Sequence, residues 1–117
     1  EHAVAGSFRA GGFEVRRVDW AGMSLGEQLW VVERAHVMVG IHGAELNNVL
    51  FATPGSVLVE LIPYCWANAS DFWEFSVAAR VRHYVWRNPD PARAQCPAHE
   101  PTCLIPDHGF APPKTLF

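Results

Sequence analysis

The chain has 117 residues and a mass of 13.0 kDa, enough for one domain. Half of the residues are hydrophobic and 18% are charged, which excludes disorder over most of the length because a core can form. The net charge of -3 argues against a nucleic-acid footprint, and no apolar run approaches the roughly 20 residues that a bilayer span needs. The chain does not begin with Met and carries no signal-peptide pattern, so we expect an interior or C-terminal piece of something longer, with any targeting segment outside it.

Gly11-Gly12 is suited to end a helix that starts near the first residue. Phe13 to Val18 then reads as a strand. Ser24-Leu25-Gly26-Glu27 has the pattern of a capping box, and Leu25, Leu29 and Val32 share one face of the helix that follows. Val37 to Ile41 is a short, branched, continuous apolar run, as expected of a strand buried on both faces. Ala44 to Phe51 predicts a short helix with Leu46, Val49 and Leu50 inward. Thr53-Pro54-Gly55-Ser56 is a turn, because Pro fixes one backbone angle and Gly supplies a positive one at the next position. Val57 to Ile62 predicts a second buried strand, stopped by Pro63. Asp71 and Glu74 open a helix with Phe72, Phe75 and Ala79 on one side, and Val81 to Trp86 is a last strand.

Strand starts near 13, 37, 57 and 81 are each separated by enough chain for the crossover that parallel strands require. The expected fold class is α/β, an open parallel sheet with helices on both faces. The expected division is a half-domain over 1–87 and a tail over 88–117. Seven of the nine prolines fall in that tail: Pro89, Pro91, Pro97, Pro101, Pro106, Pro112 and Pro113. Of the three cysteines, Cys65 follows a strand and reads as a small buried residue. Cys96 and Cys103 frame a short loop for which three readings stand open. These are a disulfide, an unpaired loop, or a zinc site with His99 and His108 in an uncommon spacing. The five tryptophans read as core or interdomain packing more than as a stacking platform.

Ligands of parallel sheets sit beyond the carboxyl ends of the strands. There the run Val37 to Ile41 ends in His42-Gly43-Ala44 and a helix begins. Gly43 permits close backbone approach, Ala44 keeps the first turn open, and the helix start favours a phosphate or diphosphate to which His42 can donate. The Lys-Ser/Thr pair of a P-loop is missing. A backbone carbonyl or a metal are the other readings of His42. Glu60 is the one charge in a strand otherwise built for burial, placed to accept from ribose hydroxyls or to pair with an arginine. Of Asn47 and Asn48, one is expected to reach the ligand or a loop carbonyl and the other to be solvated.

The stretch His36 to Pro63 resembles glycosyltransferase family 61. Gly40-Ile41-His42-Gly43-Ala44-Glu45-Leu46-Asn47-Asn48, Leu50-Phe51-Ala52-Thr53-Pro54-Gly55 and Glu60-Leu61-Ile62-Pro63 stand where that family has G-x-H-G-A-x-L-x-N, L-F-x-x-P-G and E-[LI]-x-P. Glu27-Gln28 is similar to its short E-Q element, and the resemblance covers about residues 13 to 87. It implies the C-terminal, donor-binding half of a GT-B enzyme built from two Rossmann-like halves. Such an enzyme transfers xylose, arabinose or N-acetylglucosamine from a nucleotide-sugar to a protein or polysaccharide acceptor with inversion. By analogy His42, Gly43 and Ala44 hold the diphosphate, Asn47 and Asn48 support the loop, and Glu60 lies near the nucleoside. No DxD-like motif is present, so a UDP-sugar donor without a metal cofactor is expected. No residue here is a convincing general base, which points to the other half of the enzyme and an inactive isolated fragment. Arg16, Arg17, Arg80 and Arg82 are candidates to assist the leaving group. Family resemblance also implies the lumen of the Golgi or endoplasmic reticulum. An inactive relative that only binds nucleotide-sugar is the alternative, and a plain α/β interaction domain is a third.

Overall fold

The computed structural model of the chain describes residues 2–64, 71–90 and 92. Cys65, the Cys96–Cys103 loop with its zinc alternative, and almost all of the Pro-rich tail lie outside the described residues.

Among the described residues, seven elements follow one another: three α-helices, one 3-10 helix and three strands. They are α1 (His2–Ala10), α2 (Leu25–Arg34), β1 (Val37–Ile41), the 3-10 helix (Ala44–Phe51), β2 (Val57–Ile62), α3 (Asp71–Ala78) and β3 (Arg82–Arg87). The strands form one open parallel sheet in the order β1-β2-β3, with Gly40 opposite Glu60 and Glu60 opposite Val85. Sequential strand order with right-handed crossovers puts both connecting helices on one face. There Met38 and Leu58 pack with Val31 and Val32 of α2, Leu46 and Val49 of the 3-10 helix, and Phe72 of α3. The opposite face presents Val39, Val59 and Leu61 to Val4, Ala5 and Phe8 of α1. Helices therefore cover both faces, and the period-2 alternation of side chains divides the strands between two cores. Burying Leu58 or Ile62 contributes roughly 2 kcal/mol each.

Local chemistry sets the boundaries. Gly12, at φ 86°, ends α1 in a Schellman motif: Phe13 N–H reaches the Phe8 carbonyl and Gly12 N–H that of Arg9, while the Phe8 and Phe13 rings meet edge to face at 5.5 Å. The Ser24 hydroxyl accepts from Glu27 N–H and the Glu27 carboxylate accepts from Ser24 N–H, closing the capping box of α2. Gly55, at φ 92°, completes the turn before β2, with Ser56 N–H bonded to the Thr53 carbonyl.

Several expectations are corrected. Phe13 to Val18 is not a strand; within it only Arg17 makes an isolated bridge. A cavity of about 420 Å3 is lined by Glu14, Val15 and Arg16 of this segment and by Val37 and Val39 of β1. The sheet consequently has three described strands and not four. The helix at 44–51 is of the 3-10 type. Its period of 3 aligns Leu46, Val49 and Ala52 inward and turns Leu50, expected inside, out to solvent. Leu25 is exposed as well, because the inward stripe of α2 runs through Gln28, Val31 and Val32. Of the described tryptophans only Trp20 is buried, while Trp30, Trp73 and Trp86 are about half exposed. Trp30 is held on the surface by the guanidinium groups of Arg34 and Arg16, 4.4 and 5.7 Å from its ring centre.

Candidate functional site

The carboxyl ends of β1 and β2 are joined by a bond from His42 N–H to the Leu61 carbonyl, which fixes His42 one residue beyond β1. Side-chain parity then sets three residues on the face that α3 covers: His42 after β1, Glu60 in β2 and His83 in β3. The Glu60 carboxylate is fully buried and bridges two imidazole rings. Oε1 is bonded to His42 Nδ1, and Oε2 lies 2.8 Å from His83 Nε2. A carboxylate in its ionised form only accepts, and the geometry then takes a hydrogen on His42 Nδ1 and on His83 Nε2. The His42 ring stands edge to face with Phe72 at 5.1 Å, and Trp73 lies over His83 at 6.4 Å.

Both oxygens of the Glu60 carboxylate are thus bonded to histidines, and the residue has no exposed surface. Burying it is tolerated because two ring N–H groups replace water.

Gly43 follows in extended backbone, and a Cβ built on it would meet nothing nearer than the Ile41 carbonyl oxygen at 3.9 Å. Neither backbone angle nor packing demands glycine there, so its absent side chain leaves open space beside His42. The first bond inside the 3-10 helix runs from Leu46 N–H to the Gly43 carbonyl, and the Ala44 amide therefore precedes the ladder, with Ala44 exposed. Asn47 is exposed on the same helix. Asn48, partly buried, donates to Gln28 Oε1 at 3.1 Å, and Gln28 in turn donates to the Met23 carbonyl, tying the loop to α2.

Of the four candidate arginines, Arg80 and Arg82 sit at the amino end of β3. The Arg80 carbonyl accepts from Gly55 N–H, and the Arg82 guanidinium reaches the Gly55 carbonyl at 3.5 Å. That is the opposite end of the sheet from His42. Arg16 lies over Trp30. Two residues escaped sequence reasoning. His83 lies in an edge strand that reads only as alternating, and Arg87 ends β3 on the face and at the end of the sheet occupied by His42. The parallel register, once known, marks both: His83 pairs with Leu58 and Arg87 with Ile62. Among the described residues no group of three or more His, Cys, Asp or Glu is placed to hold a metal ion, and no helix is long and apolar enough to cross a membrane.

Comparison with known proteins bears on this site. The chain is 35% identical over 95 residues to the EGF domain-specific O-linked N-acetylglucosamine transferase of Mus musculus, covering 77% of this chain and 17% of that protein. It is 36% identical over 63 residues to the protein O-linked-mannose beta-1,4-N-acetylglucosaminyltransferase 2 of Tetraodon nigroviridis, covering 50% of this chain and 11% of that protein. The chain thus spans less than a fifth of the length of these relatives. No solved structure matches it. The sequence profile of glycosyltransferase 61 matches residues 1–59, half of the chain, including His42, Gly43, Ala44 and Asn47, and ends next to Glu60. The chain belongs to the glycosyltransferase 61 family.

Proposed function

We propose that residues 1–87 form the donor-binding part of an inverting glycosyltransferase and that the crevice at the carboxyl ends of β1 and β2 takes the diphosphate of a UDP-sugar. His42 donates to the diphosphate, the amides around Gly43 and Ala44 line it, and Asn47 faces the same opening. Glu60 serves the donor indirectly, by holding His42. Arg87, on the same face and end of the sheet, supplies positive charge toward the leaving group. The observation that carries the reading is the open space at Gly43 beside a histidine clamped by a buried carboxylate.

Both relatives described above are named as transferring N-acetylglucosamine, which favours that sugar over xylose or arabinose. The acceptor is then a protein hydroxyl presented in the lumen of the secretory pathway. The general base that deprotonates it is supplied by the other half of a GT-B enzyme, across the cleft. The test is calorimetric titration of the full-length protein with UDP, GDP and UDP-N-acetylglucosamine. Saturable UDP binding that is weakened by His42→Ala is expected. Equal or absent binding of both nucleotides overturns the assignment.

A further inference from the structure

We propose that His83 is a positioning residue for His42 and acts on it through Glu60; the functional weight of this rests on the reading of His42 as a donor ligand. The three side chains form a diagonal across all three strands, from the interior beneath α3 to the rim of the crevice. All three side chains are largely buried, at 10% exposure for His42 and 2% for His83, with Glu60 fully buried between them. The carboxyl group of a glutamate turns easily about its last torsion, so one hydrogen bond does not fix its plane. His83 supplies the second. With Oε2 held by the His83 N–H at 2.8 Å, Oε1 stays directed at His42 Nδ1.

Two properties of His42 follow. Its proton is held on Nδ1, so Nε2 carries the lone pair in the neutral ring and a second N–H in the protonated one. Its ring plane is set by the Glu60 bond on one side and the edge-to-face contact with Phe72 on the other. A residue that only filled space below Trp73 would need no donor toward Glu60. Outer partners that orient metal-binding histidines commonly change affinity by about tenfold or more when removed, and the pair Glu60–His83 stands in the same relation to His42.

The test uses the full-length protein and reads two things, the histidine ring nitrogens by long-range 1H–15N correlation and the UDP affinity by calorimetry. In the wild type His42 is expected as the Nδ1–H tautomer. His83→Phe is expected to move the His42 signals toward the mixture of a free imidazole and to weaken UDP binding by about tenfold. His83→Gln, which keeps an N–H donor, is expected to restore both. Should His83→Phe not fold, His83→Asn replaces it, since its shorter amide falls short of Oε2. A folded His83→Phe or His83→Asn variant with unchanged His42 signals overturns the proposal. Shifted His42 signals with unchanged UDP binding, or with no UDP binding even in the wild type, uphold the positioning role and overturn the donor reading instead.

Discussion

Gly43 and Ile41 are separated so that a Cβ on the glycine would approach only the Ile41 carbonyl oxygen, at 3.9 Å. The chain itself therefore has no need of glycine at this position, and the proposed donor site gives it a use. Gly43→Val is expected to leave the free energy of unfolding within about 0.5 kcal/mol of wild type, because the backbone is extended and β-branched residues accept it. UDP affinity is expected to fall at least about tenfold, equivalent to roughly 1.4 kcal/mol. Thermal unfolding alongside calorimetry checks both halves, and unchanged affinity would falsify the cradle.

Glu60 holds two buried rings at once, so its removal strands two donors. Glu60→Ala is expected to destabilise the fold by roughly 3 kcal/mol, combining two unmet buried hydrogen bonds with a cavity. Glu60→Gln keeps the volume, and its amide presents one acceptor oxygen in place of two, so a smaller loss is expected. Urea unfolding of both variants reads the order, and equal stability of Glu60→Ala and wild type contradicts it.

At the start of α2 the hydrogen bonds from the Ser24 hydroxyl and backbone hold the Glu27 carboxyl below its ordinary value of 4.5. A carboxyl whose folded value is depressed adds stability above its unfolded value and loses it as the pH falls through the folded one. Ser24→Ala is expected to cost about 1 kcal/mol near neutrality. The gap between variant and wild type should narrow below pH 4.5. A gap independent of pH between neutrality and strongly acid solution would contradict the role given to Glu27.

Arg80 ends α3 at φ 57°, with its N–H on the Val77 carbonyl and Val81 N–H on the Ser76 carbonyl. This is the same closure that Gly12 provides for α1, made by a residue with a Cβ. Arg80→Gly is expected to raise stability by about 1 kcal/mol, seen as a higher melting temperature. A lower one would mean that the arginine side chain contributes more than its backbone angle costs.

Much of the fold was legible because its signals are local. Pro54-Gly55, Gly11-Gly12 and Ser24 with Glu27 each act within a few residues and formed as their chemistry dictates. The two runs Val37 to Ile41 and Val57 to Ile62 could be little but buried strands. What failed depended on distant contacts. Phe13 to Val18 alternates as a strand should, yet only Arg17 makes a bridge, because pairing depends on a partner elsewhere in the chain. Leu50 faces outward because the 3-10 helix turns faster than an α-helix, a choice that Ala44 to Phe51 does not declare. The prominence of His42 and Glu60 was visible in the sequence, but their mutual bond was not. His83, 23 positions beyond Glu60, joins them through strand register alone.

The β3 strand gives the molecule a practical character of its own. Tyr84, Val85 and Trp86 are each about half exposed, and among the described residues no strand hydrogen-bonds to the far side of β3. A bare margin of this kind is a template for intermolecular strand addition. Recombinant material limited to these 117 residues is therefore expected to self-associate at high concentration. A lysine at Tyr84 would give preparations that stay monodisperse.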